Sequence, residues 1–184
     1  FHILFLFLGF VSIYEMWKLR KGKAKFFAFL YVLLPFILIH FIEMKDNDYT
    51  NSTYDPSLIH LIFILTWTFD TFAYIFGVRL GKNKIMPSIS PKKSWEGFIG
   101  GFVFTVLACF ISTNFFLKID NNIALGISLF LPFTATLGDF TESYFKRKAS
   151  VKDSGSFIPG HGGMLDRMDA FMITIPVLYI YLNI

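Results

Sequence analysis

The sequence predicts an all-α, polytopic membrane protein with about six transmembrane helices in this chain, and three observations carry that prediction. Hydrophobic residues make up 54% of the 184 positions and aromatics 20%, with 25 Phe. That is more apolar surface than a core of this size can hide, so much of it must face a medium as apolar as lipid, and both a disordered chain and a water-solvated globule are excluded. Charged residues are only 16% of the chain. They gather between apolar runs instead of alternating through them.

Six such runs follow one another, at about 1–17, 26–42, 58–80, 97–117, 123–145 and 168–184. A span needs about 20 residues at a rise of about 1.5 Å each. The third, fourth and fifth runs reach that length, and the first, second and last stand at the short limit. The chain opens on Phe1 inside an apolar stretch with no basic region ahead of it, which reads as a chain cut at its N-terminus and not as a signal peptide. Its single cysteine, Cys109, lies in the fourth run, so no intrachain disulfide can form.

Lys and Arg set the expected orientation. Five fall between 18 and 25, five between 79 and 93 and five between 146 and 167, against only Lys45 and Lys118 in the alternate loops. Under the positive-inside rule the three basic loops are cytoplasmic, and residues 43–57 and 118–122 face the other side. The organisation expected is two N-terminal helices with an exterior loop over 1–57, followed by a region 58–184 that holds the chemistry-bearing residues.

Within the third run, Asp70 is the deepest acidic residue. Thr66, Asp70, Ala73 and Gly77 share one small, polar helix face suited to close packing. Asp70 either hydrogen-bonds a neighbouring helix or opens an ion or substrate crevice, and the second reading is favoured because an intramembrane carboxylate is costly without a task. Asp139 and Glu142, three apart, lie on one side of the fifth run near its cytoplasmic end. Asp166 and Asp169 repeat that spacing where the sixth run begins. The two runs form an antiparallel hairpin whose carboxylates can converge on a divalent metal, and Mg²⁺, which takes oxygen ligands and leaves room for water and phosphate, suits them. The competing reading is a set of salt bridges with Lys146, Arg147 and Arg167.

The segment between these runs, KRKASVKDSGSFIPGHGGMLDR, favours a site. Its glycines let backbone N–H groups approach an oxyanion, and its Lys and Arg neutralise phosphate charge. His161, between Gly160 and Gly162, is open to a role as base, metal ligand or phosphate donor, or to none. A second segment, SISPKKSWEGFIGG, puts Lys92, Lys93 and Ser94 just before a helix start, where an anion is also favoured. It lacks the glycines of a Walker A loop, and a basic loop lying on anionic lipid with Trp95 as an interface anchor is the alternative.

Ser143, Lys146, Arg147, Lys152, Asp153, Gly155, Pro159, His161, Gly162, Gly163, Asp166, Arg167 and Asp169 together resemble, at matching spacing, the signature of the CDP-diacylglycerol synthases, or phosphatidate cytidylyltransferases. The segments 70–101 and 137–143 are similar to that family as well, whereas the first 57 residues resemble it only as hydrophobic helices. The resemblance implies a polytopic enzyme of phospholipid biosynthesis, often a homodimer, that uses CTP and Mg²⁺ to convert phosphatidate in the bilayer to CDP-diacylglycerol and pyrophosphate. A monovalent cation beside the Mg²⁺ is left open, nucleic acid is not an expected partner, and the expected location is the cell (inner) membrane with the site on its cytoplasmic side.

On this reading Asp139 and Asp166 hold the metal, with Asp169 and Asp70 as supporting ligands. Lys146, Arg147, Lys152 and Arg167 bind substrate phosphates, Ser143 hydrogen-bonds one of them, and Asp153 orients basic side chains. His161, Gly162, Gly163, Lys92, Lys93 and Ser94 complete the expected substrate contacts. Phosphatidate is already an anionic nucleophile, so positioning and charge neutralisation carry the catalysis. Two alternatives stand beside it: a CTP-dependent polyprenol or phytol kinase, and a cation transporter with Asp70 and Asp139 on the ion path.

Overall fold

The computed structural model describes residues 2–19, 25–46, 56–155, 157 and 162–184. Six helices and a short hairpin follow in the order α1 (His2–Leu19), α2 (Lys25–Asp46), α3 (Ser57–Leu80), β1 (Lys84–Met86), β2 (Ser90–Ser94), α4 (Trp95–Phe115), α5 (Asn121–Lys148) and α6 (Leu165–Tyr181). Each apolar run is thus a helix. Four of them, α1, α3, α4 and α5, are long and apolar enough to cross a membrane, α2 contains the shorter apolar stretch Phe26–Ile42, and α6 has 17 residues.

Helices are the form these runs must take, because hydrocarbon offers no partner to an unpaired N–H or C=O and a helix pairs them within the segment. Hydroxyls in the runs obey the same constraint. Thr66, Thr105 and Thr113 donate to the carbonyls four residues back, Ile62, Gly101 and Cys109, at 2.8, 2.8 and 3.1 Å.

The contacts divide the chain into two units, Phe1–Ile42 with Thr134–Ile184, and Glu43–Phe133. In the second unit α4 is arranged inside out. It buries Gly97, Gly100, Gly101, Thr105, Cys109 and Ser112 and exposes Ile99, Val103, Leu107, Phe110, Ile111 and Phe115. Small residues inward and large apolar residues outward are what lipid as solvent requires, since lipid provides no hydrophobic drive to bury the large ones. The small face allows α3 to approach closely. A Cβ on Gly97 would lie 2.6 Å from the Ala73 carbonyl oxygen and 3.1 Å from Gly77 Cα, and one on Gly101 would lie 2.8 Å from the Phe69 ring. Phe72 and Phe104 stack beside this crossing with centroids 3.7 Å apart. Ala73 and Gly77 therefore serve the close packing expected of their face. Thr66 is buried and Asp70 is exposed on α3.

The hairpin is an addition to the all-α expectation. β1 pairs antiparallel with β2, Lys84 opposite Ser94 and Met86 opposite Ser90. The strands have three and five residues, and only Ser94 at the end of β2 is buried. Carrying no alternating apolar pattern, they read as loop. The hairpin delivers Ser94 to the N-cap of α4, where its Oγ accepts from Gly97 N at 3.2 Å. Asn83 Nδ2 and N donate to Glu96 Oε1 at 2.7 and 3.1 Å, which pins the strand entry to the first helical turn.

In the first unit α1 buries Phe5, Gly9, Ser12, Glu15, Met16 and Leu19, one face at helical spacing. Gly9 lets α2 in close, since its Cβ would lie 3.1 Å from the Phe36 ring. The Tyr31 hydroxyl of α2 donates to the Gly138 carbonyl of α5 at 3.0 Å. The buried Thr134 and Thr174 hydroxyls, 2.8 Å apart, join α5 to α6. Within this unit α1 and α2 pack with the C-terminal helices.

Two boundaries also move. α5 continues to Lys148 and α6 begins at Leu165, so Lys146, Arg147, Asp166 and Arg167 are helical rather than part of the loop. Lys and Arg are good helix formers and are favoured in a last turn, where the helix dipole is negative. The turn after α5 passes through Ser150, whose φ of 56° is left-handed, and Val151 N closes back onto the Lys146 carbonyl at 3.0 Å.

Candidate active site

The C-terminal turns of α5, the described residues that follow them and the first turns of α6 bring described signature residues together in the first unit. Gly138 sets the approach of the two helices, since a Cβ there would collide with the Asp169 carbonyl oxygen and lie 3.4 Å from Ala170 Cα. Among the described residues, Asp139, Glu142 and Asp169 form a group of three whose carboxylate oxygens lie within 4.8 Å of one another. Asp139 and Glu142 come from one face of α5, and Asp169 meets them from α6. The buried Ser143, one turn beyond Asp139, donates to Asp139 Oδ1 at 3.2 Å. The hydroxyl expected on a phosphate thus orients a carboxylate.

Lys146 is the cation at the centre. Its Nζ lies 2.5 Å from Glu142 Oε2 on its own helix and 2.7 Å from Asp166 Oδ1 on α6. Of the salt bridges weighed against a metal site, those of Lys146 are therefore present, and a carboxylate cluster stands next to them. Asp166 takes a different place from Asp139 and Asp169. Its Oδ2 accepts from Ser154 N and Ser154 Oγ, both at 2.9 Å, and from Gly163 N at 2.8 Å. Glu142, rather than Asp166, completes the group of three, because the lysine and the loop's own donors draw Asp166 toward the loop. Asp166 precedes the apolar stretch that begins at Met168. Burial would raise its carboxyl, but the hydrogen bonds from Lys146 and from the Gly163 and Ser154 backbone outweigh that and hold it at about 2.

Ser154 and Gly163, from the described parts of the loop, both reach this carboxylate. Gly162 has φ +86°, a left-handed conformation that favours glycine, and a Cβ there would lie 3.0 Å from Asp166 Oδ2. Arg147, Lys152, Asp153 and Arg167 are exposed. Arg147 Nη1 donates to the Val151 carbonyl at 3.4 Å. His161 and Pro159 lie outside the described residues. Asp70, Lys92, Lys93 and Ser94 belong to the second unit. Lys92 is exposed and Lys93 half-buried on β2, and the Ser94 hydroxyl is engaged in capping α4.

Two residues outside the expected set join the site. Glu142 had its signal in the spacing, three residues after Asp139. Glu15 comes from α1: buried, it accepts from Ser154 Oγ, Met164 N and Leu165 N at 3.0, 3.0 and 2.9 Å. Its signal is a lone acidic residue in an apolar run, which lipid tolerates only when it is partnered.

Fold and site together define a multi-pass helical membrane protein with an acidic, lysine-paired centre beside a glycine-rich loop. The family model described as "Cytidylyltransferase family" matches residues 1–184, and the chain belongs to that family. It is similar to the phosphatidate cytidylyltransferase of Staphylococcus aureus, 48% identical over 168 residues that cover 89% of this chain and 63% of that protein. The Staphylococcus saprophyticus protein of the same name is 40% identical over 170 residues, with 89% and 63% covered. That of Haemophilus influenzae is 37% identical over 172 residues, with 88% and 58% covered. The chain thus spans about three fifths of the length of these curated relatives.

Proposed function

We propose that this chain carries the site of a phosphatidate cytidylyltransferase. A phosphate oxygen of phosphatidate attacks the α-phosphorus of CTP, the new P–O bond forms, and the bond to the β-phosphate oxygen breaks so that pyrophosphate leaves with its electron pair. The observation that carries the reading is the joining of Asp139, Glu142 and Asp169 beside the Lys146 and Asp166 pair, in a chain whose relatives bear that name. The nucleophile is already ionised, so no general base is needed, and the protein's contribution is placement and charge.

Three carboxylates with oxygens this close are a hard, all-oxygen donor set that fits Mg²⁺. Asp139, Glu142 and Asp169 would hold it, and it would supply charge neutralisation at the α-phosphate and the departing pyrophosphate. Lys146 fixes the spacing of Glu142 and Asp166. Arg147, Lys152 and Arg167 are exposed and would receive the phosphates, with Arg offering a forked donor. CTP is water-soluble and phosphatidate stays in the bilayer, so the reaction belongs where helix ends meet a loop on the cytoplasmic side. The cell membrane and a homodimer complete the proposal.

Formation of CDP-lipid from CTP and phosphatidate, in membranes containing this chain, tests it. Product should form with Mg²⁺, stop with chelator and return with added Mg²⁺. Asp166→Asn should abolish turnover while the protein remains in the membrane, since it loses the charge that pairs Lys146. CDP and a lipid phosphate in place of pyrophosphate and CDP-lipid would make it a kinase, and ion flux into liposomes without CTP would make it a transporter.

A further inference from the structure

We infer that Glu15 of α1 is a positioning residue for the reaction, holding Ser154, Met164 and the first turn of α6 in register with the carboxylates. The inference rests on the function proposed above, and its observations are separate from the signature. The first amides of a helix have no partner within it. At the start of α6 the N-cap position, Met164, offers no capping side chain. A carboxylate from α1 supplies what is missing: Glu15 Oε1 accepts from Met164 N at 3.0 Å, and Oε2 accepts from Leu165 N at 2.9 Å. Its negative charge also meets the positive end of the α6 dipole.

The fit is tight on both sides of the carboxylate. A Cβ on Gly155 would lie 2.5 Å from Glu15 Oε1, and one on Gly163 would lie 2.5 Å from Oε2. Gly155 is thus required by a side chain at a sequence separation of 139 from its neighbour Ser154, while a Cβ on Gly163 would meet the Ser154 hydroxyl first and Glu15 next. Glu15 is 3% exposed. A carboxylate so buried in an apolar helix is costly unless its oxygens are satisfied, and here two backbone amides satisfy one oxygen each, with the Ser154 hydroxyl as a donor shared with Asp166.

Ser154 extends the hold to the site. Its Oγ lies 3.0 Å from Glu15 Oε2 and 2.9 Å from Asp166 Oδ2. One hydroxyl hydrogen serves two carboxylates, so it bonds one at a time. Asp166 in turn grips Lys146, and Lys146 grips Glu142. A displacement at Glu15 is therefore passed through Ser154 and Asp166 to the carboxylate group, although Glu15 itself touches none of its three members through these bonds.

Glu15→Gln in the full chain, in lipid nanodiscs, tests this. Gln keeps the size and one acceptor but turns an NH₂ toward a backbone N–H. Hydrogen exchange at Met164 and Leu165 should quicken by about tenfold or more, because a hydrogen bond to a charged group contributes at least that factor, with α4 amides unchanged. The kcat for CDP-lipid should fall about 10- to 100-fold, as for partners one step removed from a metal site. KM for CTP should move much less. Gly155→Ala, which drives a methyl against the Glu15 carboxylate alone, should reproduce the defect, and the double variant should be little worse than either single one.

Faster exchange with unchanged kcat would reduce Glu15 to a structural cap and overturn the inference, as would a lower kcat with unchanged exchange. If Glu15→Gln does not insert, Gly155→Ala alone decides by the same two readouts. If the wild-type chain makes no CDP-lipid, the proposed function falls, while exchange at Met164 and Leu165 still decides whether Glu15 holds the first turn of α6.

Discussion

Lys146 serves a carboxylate on its own helix and another on the next, at 2.5 and 2.7 Å. Of the two, Glu142 is fully buried, and a buried carboxylate deprived of its cation costs on the order of 3–5 kcal/mol. Lys146→Ala should therefore lower the melting temperature in detergent and cut kcat/KM for CDP-lipid formation by more than about tenfold, a loss of over 1.4 kcal/mol in transition-state stabilisation. Lys146→Arg keeps the charge but not the point geometry of an ammonium, and should fall between. Wild-type melting and kinetics in Lys146→Ala would show that both ion pairs are dispensable. At this scale the sequence was half legible. The spacing of Asp139 with Glu142 and of Asp166 with Asp169 announces two facing pairs, but not which member turns toward Lys146. That choice depends on where the loop's N–H groups point, and the capture of Asp166 by Ser154 and Gly163 has no sequence pattern. Glu15 was harder still, since its partners lie at the far end of the chain.

The pairing of α5 with α6 depends on one missing side chain. A Cβ at Gly138 would collide with the Asp169 carbonyl oxygen, and Asp169 is the residue that α6 contributes to the carboxylate group. Gly138→Leu should force the helices apart at a cost of about 1–3 kcal/mol, the usual range for overpacking. It should also raise the Mg²⁺ concentration needed for half-maximal turnover, because Asp169 would withdraw from Asp139 and Glu142. A Mg²⁺ titration of activity on wild type and variant checks both effects together with thermal unfolding, and an unchanged midpoint would separate the crossing from the site. Helices were the most legible feature of this chain. An apolar run in lipid has one way to pair its backbone, so six runs became six helices. The hairpin of Lys84–Met86 and Ser90–Ser94 was not legible, because short strands with a single buried residue have no burial period to display. The end of α5 was misplaced for a related reason, since a hydropathy boundary marks where lipid stops and not where hydrogen bonding stops.

For the molecule as a whole, orientation is the property on which the proposed chemistry depends. The 28 residues of α5 extend about 42 Å if straight, more than the roughly 30 Å of hydrocarbon in a bilayer. Lys118 precedes this helix and Lys152 follows it, and both are exposed. They should therefore lie on opposite sides of the membrane. The basic residues then decide which is which, fifteen lying in the three loops that include Lys152 and two in the alternate loops. Single cysteines at these two positions, in a chain with Cys109→Ala, make this measurable. A membrane-impermeant maleimide should label Lys152→Cys in inverted vesicles and Lys118→Cys in right-side-out ones. CTP with Mg²⁺ should protect Lys152→Cys and leave Lys118→Cys unaffected. Labelling of Lys152→Cys from the outer face would remove the site from the compartment that holds CTP, and the proposed reaction would fall with it. Labelling as expected without protection would keep the orientation and take Lys152 out of the phosphate-binding set.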